Sequence, residues 1–77
     1  MSELEWMDIF GDNLRDALKD ANMSQRELAE VTGLHESTIS RYIHKTLFPS
    51  LQAIINISYA LDMGIDELVD FGAPIDI

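Results

Sequence analysis

Residues 24–45 read SQRELAEVTGLHESTISRYIHK, and this stretch decides the fold. Ser24 and Glu27 have the spacing of a capping box, in which a serine hydroxyl and a glutamate carboxylate accept hydrogen bonds from amides at a helix start. The helix that begins there is expected to stop at Gly33, because glycine readily adopts the left-handed conformation that ends a helix. A further helix is expected over about Glu36–His44. The stretch therefore predicts two short helices joined by a sharp turn.

Six positions in this stretch carry the residue types that such a turn requires. Counted from Gln25, the fourth, fifth, ninth, tenth, fifteenth and eighteenth positions are Leu28, Ala29, Gly33, Leu34, Ile39 and Tyr42. Ala29 is small because the two helices cross closest there, and Gly33 supplies a positive φ without steric cost. The four larger apolar residues seal the angle between the helices. All six in register, beginning at a capping box, indicate a helix-turn-helix.

An apolar stripe at helical spacing predicts another helix before this motif. Its members are Trp6, Phe10, Leu14, Ala17, Leu18 and Ala21. The start of this helix is open, because Ser2–Glu5 has the spacing of a capping box, whereas Asp8 or Asp12 would cap a shorter helix. Gly11 weakens its middle, and Asn22 is expected to end it.

Two more helices are expected after the motif. Ser50 is expected to cap a fourth helix that ends at Gly64, with Tyr59 packed within it. Residues 65–69 are expected to form a short fifth helix, capped by Asp66 or by the turn before it.

The predicted fold class is all-α, a compact five-helix bundle that includes the helix-turn-helix. Residues 1–77 are expected to form a single domain, with an acidic N-terminal extension over 1–11 and an apolar C-terminal tail over 71–77. The core is expected to include Trp6, Phe10 and Tyr42.

Composition argues against several classes of function. The chain has no cysteine, which removes disulfides, thiolate chemistry and cysteine-ligated zinc. No apolar run approaches the roughly 20 residues that cross a bilayer, and the start MSELEWMDIF lacks the basic residues of a signal peptide. The sequence has no glycine-rich phosphate loop or nucleophile motif, and His35, Glu36 and His44 fit no common metal-ligand spacing. We therefore expect a cytoplasmic protein that is not an enzyme and uses no metal, cofactor or small-molecule ligand.

The register of the motif resembles the lambda-repressor/Cro-like (XRE-type) helix-turn-helix family of bacterial and phage transcriptional regulators. The segments that carry the resemblance are Ser24–Ala29, Thr32–Leu34, Ser37–Tyr42, Pro49–Leu51, Ala60–Leu61 and Ile65–Leu68. With Leu14 and Arg15 it covers roughly residues 12 to 70. The resemblance implies a regulator, usually dimeric, that places its third helix in the major groove of a DNA operator.

The third helix is predicted to be the recognition helix. At about 100° per residue, Ile39, Tyr42 and Ile43 share one side of it, and polar residues occupy the other. With the start of the second helix, the predicted DNA contacts are Gln25, Arg26, His35, Glu36, Ser37, Ser40, Arg41, His44 and Lys45. The family position of Gln25 grips a phosphate, aided by the helix N-terminus. Arg41 is suited to a bidentate guanine contact or a second phosphate contact.

The expected partner is double-stranded DNA with a palindromic operator, bound by a homodimer that acts as a nucleoid-associated repressor. Half-sites should lie about one helical turn apart. The apolar tail needs something to cover it, which suggests a dimer surface. The residues assigned to that surface are Leu68, Phe71, Ile75 and Ile77.

Charge opens an alternative to DNA binding. The net charge is −9, whereas DNA-binding domains usually carry a basic excess. Residues 1–20 contribute −4 and residues 62–77 contribute −5, so residues 21–61 are neutral. After the third helix, where the family often has glycine and basic residues, the sequence is Lys45-Thr46-Leu47-Phe48.

Together with Glu36, these features permit a helix-turn-helix module that binds protein, antirepressor-like or antitoxin-like, with weak or no DNA binding. The polar third-helix face, which includes Arg41, favours DNA, because a protein-docking face is more often apolar or aromatic. The four-residue spacing of Asp8, Asp12, Asp16 and Asp20 is interpreted as a solvated helix face, with a basic partner or repulsion of DNA as alternatives.

Overall fold

The computed structural model describes residues 3–69, which form five α-helices. The helices are α1 (Glu3–Ala21), α2 (Gln25–Thr32), α3 (Glu36–Ile43), α4 (Leu51–Ala60) and α5 (Ile65–Leu68). The long α1 packs against α3 and α5, while α2 packs against α3 and α4. The predicted all-α fold with five helices is confirmed.

The cap of α2 forms as its sequence predicts. The Glu27 amide donates to the Ser24 hydroxyl at 3.0 Å, and the Ser24 amide donates to the Glu27 carboxylate at 3.2 Å. Gly33 ends α2 in the left-handed conformation, with φ 77°. The Ser50 hydroxyl likewise accepts from the Ala53 amide at the start of α4. The hydrogen bonds confirm these caps. The caps were predictable because each depends on groups only a few residues apart in sequence.

One helix boundary that the sequence leaves open is decided by the structure, and another differs from the expectation. The first helix continues without a break from Glu3 through Gly11, so neither Asp8 nor Asp12 caps a shorter helix. The fourth helix ends at Ala60 rather than at Gly64. Gly64 instead precedes α5 as its N-cap, with an extended backbone at φ −74°.

Asp62, rather than Gly64, adopts the left-handed conformation after α4. Asp62 lies in the left-handed region at φ 52°, just as Asn22 does at φ 54° after α1. Short polar side chains tolerate this conformation better than other non-glycine residues do. Asn22 was therefore placed correctly as a helix end, and Gly64 was not.

The core lies between α1 and the four shorter helices. Its buried side chains are Phe10, Leu14, Leu18, Leu28, Ile39, Tyr42, Ala53, Ile54, Ile57 and Leu68. Trp6 is half-buried against this cluster. Asn13 also ties α1 to α5, because its side-chain amide donates to the Leu68 carbonyl at 2.9 Å.

Two assignments of side chains are corrected by their burial. Leu68 is 0% exposed within the single chain, so it cannot serve the dimer surface to which it was assigned. Tyr59 is 83% exposed and does not pack within the bundle. The other predicted dimer residues, Phe71, Ile75 and Ile77, lie outside the described residues.

Candidate nucleic-acid interface

The turn between α2 and α3 is held by hydrogen bonds as well as by apolar contacts. The Thr32 hydroxyl donates to the Leu28 carbonyl at 2.7 Å and accepts from the Leu34 amide at 3.3 Å. Leu28 is buried beneath this turn, and Leu34 packs against the core. Local hydrogen bonds and a shared core therefore fix the angle at which α3 is presented.

The α3 helix separates apolar and polar residues as the sequence predicts. Ile39 and Tyr42 are buried, and the Tyr42 ring meets Phe10 of α1 edge-on at a centroid distance of 5.8 Å. The outer face of α3 is polar and carries Glu36, Ser37, Ser40 and Arg41, of which Ser40 alone is half-buried. This face has hydrogen-bonding groups at every outward position, as recognition of base edges requires.

The start of α2 and the two ends of α3 carry the other predicted contacts. Gln25 is half-buried, whereas Arg26 is exposed in an ion pair with Glu30 at 3.7 Å. His35 precedes α3 as its N-cap, and its exposed side chain makes no capping hydrogen bond. The His44 Nδ1 atom lies 2.8 Å from the Ser40 carbonyl oxygen, so this ring folds back along α3.

Arg41 keeps its charge available. Within residues 3–69 its guanidinium enters no ion pair, whereas Arg15 contacts Asp12 at 3.3 Å and Asp16 at 3.8 Å. An exposed pair such as Arg26 with Glu30 stabilises little and is easily exchanged. Arg41 is thus the cation of the α3 face that is best placed to meet an anionic partner.

Lys45 reaches toward α1, with 32% of its side chain still exposed. Its ammonium lies 2.6 Å from the Asp8 carboxylate and 2.9 Å from the Asp12 carboxylate. The hydrogen bond that Lys45 donates to Asp8, followed by the one that it donates to Asp12, raises the pKa of Lys45 above its ordinary value. Lys45 also has φ 66°, the left-handed conformation for which the family often uses glycine at this point.

Leu47 and Phe48 are the apolar residues of the loop after α3, and Phe48 has a structural role. Phe48 stacks on Trp6 at a centroid distance of 4.9 Å, and Trp6 stacks in turn on Phe10 at 5.6 Å. Phe48 and Leu47 remain partly exposed. The ring contacts join the loop after α3 to the first turns of α1. Trp6, expected in the core, is half-buried at its edge, and its stacking on Phe48 could not be predicted from the sequence.

The Lys45 contact should make stability depend on pH through Asp12. The hydrogen bond from Lys45 is the largest of the effects that hold the pKa of the Asp12 carboxyl below its ordinary value of 3.8. A carboxyl with a lowered pKa in the folded state stabilises the fold above its unfolded pKa, and this stabilisation is lost as pH falls through the folded pKa. We expect Asp12→Asn to flatten the acid limb of the stability curve below about pH 4.

Denaturant unfolding between about pH 3 and pH 7 measures this dependence. Lys45→Gln should flatten the same limb, because it removes the largest cause of the shift while leaving the carboxylate in place. An acid limb that Lys45→Gln leaves unchanged would contradict the assignment.

The described fold, with α2 and α3 joined by the turn at Gly33, defines a helix-turn-helix domain. Residues 13–74 match the family model of the Cro/C1-type HTH DNA-binding domain, and the chain belongs to this family. The resemblance inferred from the motif is confirmed.

Among solved structures, the chain is similar to the restriction-modification controller protein C.AhdI from Aeromonas hydrophila. The two are 31% identical with a TM-score of 0.78, and the match covers 80% of this chain and 94% of that chain. The search of curated proteins found no match. Over residues 3–69, no helix combines the length and apolar character needed to cross a membrane.

Proposed function

We propose that the chain represses transcription by binding a specific double-stranded DNA site, with α3 in the major groove. The observation that carries this proposal is the exposed, hydrogen-bonding face of α3 with an uncommitted Arg41. A helix-turn-helix docks such a face against base edges while the preceding helix contacts the backbone. A bound domain at a promoter would block access of the polymerase.

Each predicted contact other than Lys45, which pairs with Asp8 and Asp12 in the free chain, has a role suited to its chemistry. Arg41 can donate two hydrogen bonds to a guanine, and Glu36 can accept from a cytosine amino group. Gln25, in the first turn of α2, can hold a phosphate together with the free amides of that turn. Smaller or peripheral contacts are assigned to Arg26, His35, Ser37, Ser40 and His44.

The charge distribution favours a protein that binds its cognate DNA site selectively and has low affinity for other DNA sequences. Sequence-independent affinity comes mainly from cations that replace counterions along the phosphates. Arg15 and Lys45 are directed at carboxylates of α1, which leaves few cations for this purpose. Most of the affinity for a cognate site must therefore come from base contacts along α3.

Selection of bound duplexes from a random pool tests the proposal. We expect a palindromic consensus with half-sites about one helical turn apart, and repression of a reporter that carries this site at its promoter. If no duplex binds even at ~20 mM salt, where phosphate contacts are strongest, the protein-interaction alternative is correct. Phe48 was one of the features that favoured this alternative, but its stacking on Trp6 gives Phe48 a structural role that needs no protein partner.

A homodimer is the form that matches a palindromic site. We propose that the outer face of α4 is the contact surface between its two copies. This helix contains no charged residue, unlike the other helices of the described range. Leu51 and Tyr59 are 69% and 83% exposed, and Ile55 lies between them at four-residue spacing. Two chains that each carry −9 repel one another, so they can approach best where neither has a carboxylate. The occupant of this face is therefore proposed to be a second copy of the chain.

Leu51→Glu should weaken this dimer by about tenfold or more, because an unpaired carboxylate would be buried in an apolar contact. Analytical ultracentrifugation measures the change directly. Leu4→Glu is the matched control, since Leu4 is a similarly exposed leucine, at 74%, but lies on α1. Equal dissociation constants for the two variants would place the dimer contact elsewhere.

A further inference from the structure

Lys45 lies at the edge of the proposed DNA interface. It is two residues beyond the last residue of α3 and four residues beyond Arg41. The chain has only five lysines and arginines, so one additional cation at this edge would be a large part of its phosphate-binding capacity. The direction in which Lys45 points therefore matters for DNA binding.

Three features of the packing against α1 orient Lys45 and the loop that carries it. Asp8 and Asp12 lie one turn apart and both contact its ammonium, at 2.6 and 2.9 Å. Gly11 leaves room for its stem, because a Cβ atom built there would lie 2.9 Å from the Lys45 Cγ atom. The stacked Trp6 and Phe48 rings join the same loop to α1 three residues further on.

We propose that Asp8 and Asp12 compete with DNA phosphates for Lys45 and thereby lower the sequence-independent affinity of the chain for DNA. This inference rests on the proposed DNA-binding function. Carboxylate and phosphate oxygens are both charged acceptors for an ammonium group, so the two carboxylates already neutralise the charge with which Lys45 would attract a phosphate. Two carboxylates against one ammonium also leave local negative charge, which repels the phosphate backbone. We call the group formed by Asp8, Asp12 and Lys45 the acidic clamp.

The first test compares two double variants that change the charge equally. Asp8→Asn with Asp12→Asn opens the acidic clamp. Asp16→Asn with Asp20→Asn is the matched control, because these residues continue the same four-residue spacing along α1 but do not contact Lys45. Binding to a random-sequence duplex is measured over a series of salt concentrations.

Opening the clamp should raise non-specific affinity about fivefold to tenfold in ~0.1 M salt beyond any gain in the control. The salt slope should steepen by about 0.9, the value for one additional phosphate contact. Lys45→Gln should reverse the gain in the open-clamp variant and should have a smaller effect in the wild-type chain. Equal affinities for the two double variants, or equal effects of Lys45→Gln in both backgrounds, would overturn the clamp.

A second measurement reports on Lys45 without DNA. Acetylation of the two lysines by acetic anhydride is followed by mass spectrometry, with Lys19 as the internal reference. Opening the clamp should speed acetylation of Lys45 severalfold relative to Lys19, and the Asp16/Asp20 control should not. An unchanged Lys45 rate overturns the clamp even if the chain binds DNA normally. A released Lys45 in a chain that binds no duplex instead refutes the proposed function, and with it the competition.

Discussion

Arg41→Ala should lower affinity for the selected DNA site by about 1–3 kcal/mol, or roughly fivefold to 150-fold, without disturbing the fold. A bidentate arginine–guanine contact has this magnitude, and Arg41 is the exposed α3 cation that pairs with no residue in the range 3–69. Fluorescence anisotropy with the selected duplex measures the loss. A duplex altered at one base pair then shows whether Arg41 reads a base.

Arg15→Ala is the control for this loss. It removes the same charge from α1, where Arg15 contacts Asp12 and Asp16 instead of facing the proposed interface. If Arg41 reads a base, its removal should relax specificity at one position of the site. If it contacts a phosphate, affinity should fall uniformly across sequences and the salt slope should decrease by about one. Full affinity in Arg41→Ala would refute α3 as the recognition helix.

Gly11→Ala should lower the free energy of unfolding by about 1–2 kcal/mol, even though alanine is the better helix former by about 1 kcal/mol. A Cβ atom at this position would lie 2.8 Å from the Tyr42 carbonyl oxygen and 3.2 Å from the Ile43 carbonyl oxygen. Backbone atoms at the end of α3 cannot move aside as a flexible side chain can. The two helices would have to separate, which would weaken the contact of Phe10 with Tyr42.

Thermal unfolding measures this change, with an expected fall of about 4–8 °C for each kcal/mol. Gly64→Ala is the control, because there the added Cβ would meet only the Asp66 side chain and the backbone φ of −74° suits alanine. We expect a much smaller effect from this second substitution. A Gly11→Ala variant as stable as the wild type would show that α1 and α3 do not approach this closely.

The first turns of α1 give this chain a contact that its family match does not include. The match to the Cro/C1-type domain begins at residue 13, whereas the residues that hold the end of α3 lie before it. Trp6, Asp8, Gly11 and Asp12 contribute ring stacking, ion pairing and close backbone approach at that end. From Glu3 onward, the segment interpreted as an acidic extension is thus part of α1 and contacts the end of α3.

The helix-turn-helix register and most helix ends were predictable from the sequence by itself. Ser24, Glu27, Gly33 and Ser50 act on backbone groups within four residues of themselves, so their effect can be read locally. The alternation of polar and apolar residues along α3 likewise depends only on helical periodicity. These features were sufficient to predict the family and the face that carries Arg41.

Only the tertiary structure decided what the ends of α3 and the bundle surface contact. The sequence predicts Lys45 as a phosphate contact but does not reveal its ion pairs with Asp8 and Asp12, which lie more than 30 residues away in sequence. Leu68 looked like a dimer residue, but it completes the core beneath α1.

The physical reason is the distance along the sequence over which each interaction acts. Caps and periodicity are satisfied within a single helix, whereas the partner of a charged or apolar side chain depends on which distant elements the fold brings together. The charges illustrate the same difference. The net charge of −9 can be counted from the sequence, whereas the ion pairs of Asp8 and Asp12 with Lys45 depend on the packing of α1 against α3.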